Sequence, residues 1–160
     1  MGNVLSVIKS IKDSTGIPCK KVVQKVIYLI QETGEDLGFD YSIHFYGPYS
    51  AKLDSEIRYR YNRGDLNIDF TAHGHMLSVD DSLDIPPVNS SIQEIITHFC
   101  SKNPSELELL ATTLYIQRAI PHADKENILN NVLRIKGDKY SKTEIKEAIK
   151  ELKNRGYFQI

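Results

Sequence analysis

The chain has 160 residues, 41% of them hydrophobic and 26% charged, with a formal net charge of -1; this globular mixture excludes intrinsic disorder, collagen and low-complexity architectures. No run approaches the roughly 18 apolar residues of a membrane helix and no charged head with an apolar stretch opens the chain, so the expectation is a soluble, cytoplasmic protein without a membrane partner. Cys19 and Cys100 lie far apart and outside any Cys-x-x-Cys pair, which excludes zinc ribbons and thioredoxin-type motifs and leaves both as small buried packing residues.

Val4, Leu5, Val7, Ile8 and Ile11 have helical spacing, and the stretch from Asp13 to Pro18, with Gly16 inside it, ends this short first helix. From Lys20 to Thr33, Val22, Val23, Val26, Ile27 and Ile30 fall on one broad face, with Lys21, Lys25, Tyr28 and Glu32 as the opposite stripe, and the helix is expected to be mostly buried. Tyr41, Ile43 and Phe45 then alternate with Ser42, His44 and Tyr46 as in a strand. Gly47 and Pro48 end that strand, because proline donates no backbone hydrogen bond and restricts the residue before it. Ser50 is a good N-cap for a helix to about Asn62, stopped by Gly64.

Leu66 to Asp80 reads as a hairpin turning at His73-Gly74, which sets Phe70 opposite Leu77 and Ile68 opposite Val79 and leaves Asn67, Asp69, Thr71, Ser78 and Asp80 on a polar, acidic face. A loop through Pro86 and Pro87 follows. From Ser91 onward the chain reads as helical. Ser91 with Glu94, Asn103 with Glu106, and Ser141 with Glu144 match the cap pattern of a short polar residue three positions before an acid, and a further helix fits from Asp124 to Ile135. Tyr157, Phe158 and Ile160 are candidates for an edge strand. The expected fold is α+β and mainly α: a winged-helix-like lobe, residues 1–88, of helices, one strand and a β-hairpin, and a helical lobe, residues 89–160, packed on it, or both within one single domain.

The run HFYGPYS, His44 to Ser50, follows a helix of sequence KKVVQKVIYLIQ and precedes an amphipathic helix ending in glycine. Together with the later ELELLATTLYIQ it resembles the YwgA-like family of uncharacterised bacterial proteins. The lysine-and-glutamine helix, aromatic strand and Tyr-Gly-Pro are also distantly similar, over residues 18–64, to the Panacea domain of many antitoxins, including those of the SocA type. The resemblance implies a non-enzymatic binding role in toxin neutralisation or regulation, and it assigns no catalytic residues.

His44, Tyr46, Gly47, Pro48 and Tyr49 are candidates either for a tight reversal packed by aromatics or for a partner-binding surface, since loops between rigid elements often carry function. Arg58 and Arg63, in a run that interleaves cations with Tyr59 and Tyr61, are candidates for the same face. Helical geometry fans these side chains around the axis, so some of the tyrosines are expected to face the core. In the last helix, Lys142, Lys146, Lys150 and Lys153 line one flank of the apolar face and Glu144, Glu147 and Glu151 the other. His73 and His75 flank a turn glycine, with no third and fourth ligand at zinc spacing. No Walker loop, GxGxxG, GxSxG or HExxH is present, so no catalytic residue, metal or cofactor is expected. Met1-Gly2 with Ser6 fits the short N-myristoylation pattern, although residues 4–11 look committed to packing.

Charge is uneven along the chain. Residues 1–64 carry nine Lys/Arg against seven Asp/Glu, residues 65–90 none against five, and residues 91–160 eleven against nine. An acidic middle piece repels a phosphate backbone. The favoured expectation is therefore a protein-binding antitoxin-like or adaptor regulator, with a toxin or regulator as partner. The alternative is a DNA-binding transcriptional regulator of winged-helix type, although residues 50–64 have room for one helix where that fold needs two.

Overall fold

The computed structural model describes residues 3–158. Met1 and Gly2 of the myristoylation pattern, and Ile160 of the expected edge strand, lie outside the described residues. The fold is α+β and mainly α: helices α1 (Val4–Thr15) and α2 (Lys20–Gln31), a ribbon of β1 (Ser42–His44) and β2 (Gly47–Tyr49), α3 (Ala51–Arg63), a second ribbon of β3 (Leu66–Thr71) and β4 (Gly74–Val79), then α4 (Ser90–Phe99), α5 (Pro104–Ala119), α6 (Lys125–Lys136) and α7 (Lys142–Asn154). Among the described residues, no helix is long and apolar enough to cross a membrane.

Helix α5 is the central element. Its capping box pairs the Asn103 side chain with the Glu106 N–H and the Glu106 carboxylate with the Asn103 N–H, and Pro104 occupies the first turn. From Leu107 to Leu114 every side chain is buried, polar ones included, as expected of a helix surrounded on all sides. It packs against α2, α6, α7 and β2, while α1 lies on α4 and β4. Buried side chains from both sides of residue 88 join one apolar cluster, with Ile27, Phe99, Leu114 and Leu152 all in it.

Several local expectations change. The second helix is mostly buried, as expected, and its polar stripe is covered too: Lys25 is 2% exposed and Tyr28 is buried, because an extended segment lies across that side of the helix. The stretch after Tyr41 is not one strand ended by Gly47-Pro48. It is a hairpin with Phe45-Tyr46 at its tip, pairing Ser42 with Tyr49, Ile43 with Pro48 and His44 with Gly47. Proline is tolerated because the ribbon has only two strands and every strand in it is an edge.

The second hairpin turns at Ala72-His73 rather than His73-Gly74, which places Phe70 opposite His75 and Ile68 opposite Leu77. Thr71 Oγ1 accepts the His73 N–H at 3.1 Å and donates to the Gly74 carbonyl at 2.9 Å, while Gly74 takes the positive φ of 120°. A two-residue shift keeps every side chain on its expected face, so apolar alternation cannot detect it. The other edge of β4 is held by the Leu77 N–H donating to the Pro18 carbonyl at 2.8 Å. Phe70 overhangs at the tip, 63% exposed, with its ring against His75 and Tyr61.

Four smaller corrections concern ends, faces and burial. Helix α4 is capped by Asn89, whose side chain accepts the Ile92 N–H, and not by Ser91. On α3 only Leu53 and Ile57 are buried; Tyr59 and Tyr61 are both exposed, since β3 covers just one stripe of the helix. Tyr157 forms no strand, and its hydroxyl donates to the buried Leu29 carbonyl at 2.9 Å. Cys19 and Cys100 are unpaired and half-buried rather than fully buried, and burial pushes the Cys100 thiol up to about 11.

Candidate functional site

Helix α2 carries glutamines seven residues apart, two helical turns along one face. Each binds the backbone of the following segment at two points. Gln31 accepts the Phe39 N–H at 2.9 Å and donates to the Phe39 carbonyl at 2.8 Å; Gln24 accepts the Ser50 N–H and donates to the Ser50 carbonyl, both at 2.9 Å. Between the two clasps, the Tyr41 hydroxyl donates to the Gln24 carbonyl at 2.7 Å and Lys25 Nζ to the Pro48 carbonyl at 2.6 Å. The chain from Phe39 to Ser50 thus finds on α2 the backbone partners that a wider sheet would supply.

The other side of the ribbon rests on α5. Gly47 has φ of 93°, and a Cβ there would stand 2.7 Å from Thr112 Oγ1, so only glycine permits this approach. Lys136 at the end of α6 donates to the Phe45 carbonyl at 3.0 Å, which ties the exposed tip to the body.

A pocket of about 290 Å³ opens between the first turns of α2 and the ribbon, lined by Lys20, Lys21, Gln24 and Lys25 on one side and His44, Phe45, Tyr46, Gly47 and Tyr49 on the other. Its walls are mainly apolar and aromatic, with the His44 ring 4.7 Å from that of Tyr49. Lys21 Nζ sits 3.9 Å from the Tyr46 ring centroid and Lys139 Nζ 5.6 Å from it, so two cations lie close to one aromatic ring.

Beneath the ribbon lies a buried carboxylate. Glu108 Oε2 accepts from Lys139 at 2.6 Å, Lys136 at 3.0 Å and the Tyr140 hydroxyl at 3.0 Å. Burial opposes its charge, but the hydrogen bonds from Lys139, Lys136 and Tyr140 prevail and hold the carboxyl below its usual range. Lys25 also shifts downward, but there the shift favours the neutral form. Burial lowers its ammonium from 10.5 to about 8; Glu108 opposes that shift, and Lys136, Lys21 and Lys139 add to it. Around the pocket, five lysines (20, 21, 25, 136 and 139) face two carboxylates, Glu108 and the Asp54 that pairs with Lys20 at 2.9 Å.

The structure brings His44, Tyr46, Gly47 and Tyr49 to this one pocket, with the Pro48 carbonyl bound behind it by Lys25. It does not bring the two arginines there. Arg58 pairs with Asp54 at 3.2 Å, and Arg63 lies further along α3 against Asp65 at 3.5 Å and the Tyr59 hydroxyl at 3.1 Å. The sequence reading missed Lys25, Glu108, Lys136 and Lys139. A signal existed for two of them: Lys25 stands between Val22-Val23 and Val26-Ile27, and Glu108 interrupts the apolar run from Leu107 to Leu110, where a charge demands a buried partner.

No protein-family profile matches the chain. It is similar to the uncharacterised protein YwgA of Bacillus subtilis (strain 168), 29% identical over 162 residues that cover 91% of this chain and 93% of the relative. The likeness supports a YwgA-like family across nearly the whole length, and a link to the Panacea domain is not shown.

Proposed function

We propose that the chain is a non-enzymatic binding protein, an antitoxin-like or adaptor regulator whose partner protein docks on the β1-β2 tip. The carrying observation is the exposure of Phe45 (85%) and Tyr46 (50%) on a ribbon held by Gln24, Lys25 and Lys136. Aromatic side chains presented on a fixed backbone cost little ordering on association, which suits an interface anchor. The surrounding lysine excess favours a partner segment that carries acidic groups next to apolar ones. Arginines 58, 60 and 63 support this site over DNA binding, because each is already matched by Asp54, Glu56 or Asp65.

The test is affinity capture from the native host with tagged wild-type chain and a Phe45→Ala, Tyr46→Ala variant whose melting is unchanged. A stoichiometric protein held by the wild type and lost by the variant carries the reading. Capture of DNA alone, with an affinity that falls linearly in log salt concentration, would replace it with the DNA-binding alternative.

A further inference from the structure

We infer that the pocket between α2 and the β1-β2 ribbon is a carboxylate-capture site, taking one carboxylate carried on an apolar body, with Lys25 as its anion-binding group. This deepens the partner-binding reading and rests on the same face of the molecule. Lys25 is 2% exposed and yet reaches the pocket, and among the described residues its ammonium donates one hydrogen bond, to the Pro48 carbonyl at 2.6 Å. Two of its three protons therefore lack a protein acceptor. A buried ammonium so poorly served is costly unless an anion completes it. Glu108 acts on Lys25 through its charge alone: among the described residues no hydrogen bond joins the two, and the Glu108 Oε2 already accepts from Lys136, Lys139 and Tyr140.

Size and wall chemistry narrow the ligand. The pocket of about 290 Å³ corresponds to roughly ten waters at ~30 Å³ each, room for one or two side chains. A docked helix, about 10–12 Å across, does not enter. The aromatic walls formed by His44, Tyr46 and Tyr49 match an apolar body, and the lysines at the rim match a negative end. Two sources share this chemistry, the C-terminal residue of a partner chain and a free small acid.

The experiment uses the purified full chain, labelled with ¹⁵N, and four probes: acetyl-Ala-Ala-Phe with a free or an amidated end, and 3-phenylpropionate or its amide. The expected result is that a carboxylate probe shifts the amides of Tyr46, Gly47 and Tyr49 and binds at least about tenfold more tightly than its amide, the scale of one charge-assisted contact. Response to the peptide alone identifies a chain end as the source, and response to phenylpropionate alone a free acid. In Lys25→Met the preference for the carboxylate disappears. Should that variant not fold, the same question is answered on wild type, where saturating carboxylate, but not amide, shifts the side-chain ¹⁵Nζ resonance of Lys25. Equal binding of acid and amide, shifts confined to the lysine flank of α7, or a Lys25 ¹⁵Nζ resonance unmoved at saturation overturns the inference. Because no partner is needed, a chain that captures its partner protein but ignores every carboxylate sinks this inference and leaves the partner-binding reading standing.

Discussion

The Gln24 side chain and the Ser50 backbone form a two-point clasp, each hydrogen bond 2.9 Å long and both buried. Ser50 also caps α3 through its hydroxyl, which accepts the Leu53 N–H at 3.1 Å. One residue of α2 therefore sets where the ribbon ends and where the next helix begins.

Replacing Gln24 by alanine leaves the buried Ser50 N–H without its partner, while the Ser50 carbonyl keeps the bond from the Asp54 N–H at 3.1 Å. The expected loss is about 1 to 3 kcal/mol, the usual cost of one orphaned backbone group. Urea denaturation of Gln24→Ala measures it. A midpoint within error of wild type would show that water or a backbone shift satisfies the Ser50 N–H.

Gly47→Ala places a methyl 2.7 Å from Thr112 Oγ1 at a φ of 93°. Destabilisation of about 2 kcal/mol or more is expected from strain and overlap together. Among the described residues the buried Thr112 hydroxyl has no hydrogen-bond partner, so Thr112→Ala alone loses no bond and is expected to change stability little. In the double variant the overlap is relieved and the φ strain remains. A thermodynamic cycle with a favourable coupling term is the predicted signature, and strict additivity would refute the contact.

Lys25 binds fewer protons in the folded chain than in the unfolded one between pH 8 and 10.5, since its folded value is lowered to about 8. Over that interval stability rises with pH, because the unfolded state takes up the proton that the native state has released. Relative to Lys25→Met, which does not titrate there, wild type is expected to gain about 2 kcal/mol from pH 7 to 9.5. Comparison with the variant removes the contributions of tyrosines and cysteines. A constant difference across the range would contradict the buried, proton-releasing Lys25.

Glu108 links stability to pH in the same sense, but in the acid range. Its carboxyl is held below the usual range, so its contribution is present above the unfolded value and is lost as pH falls through the folded one. Glu108→Gln, which leaves Lys136 and Lys139 without their charge partner, is expected to cost about 3 to 5 kcal/mol at pH 7. The same substitution also flattens the acid limb of the stability curve. Thermal melts from pH 7 down to pH 3 check both effects.

Much of this protein is dictated locally. Apolar spacing marks α1, α6 and α7, and the pairs Asn103-Glu106 and Ser141-Glu144 close the capping boxes they announce, because a helix start depends on atoms within four residues of one another. The same is true of Ser50 and Gly64 at the two ends of α3. His44, Tyr46, Gly47 and Tyr49 also meet in one pocket, as their closeness along the chain requires.

Tertiary structure decided what depends on distant partners. Periodicity sets Lys25 and Tyr28 on the face opposite the valines, but whether that face meets water is settled by the segment from Phe39 to Ser50 and by α5. The buried charges follow the same rule, since Glu108 is matched by Lys136 and Lys139 from a later helix and the turn after it. Register was likewise beyond alternation, for a slip of two residues keeps every side chain on its face, and only the Thr71-Gly74 turn bonds and the Pro18 contact at Leu77 choose between the alternatives. A polar side chain carries no mark of its partner, so its burial becomes legible only when the chain has folded back and brought that partner within about 3 Å.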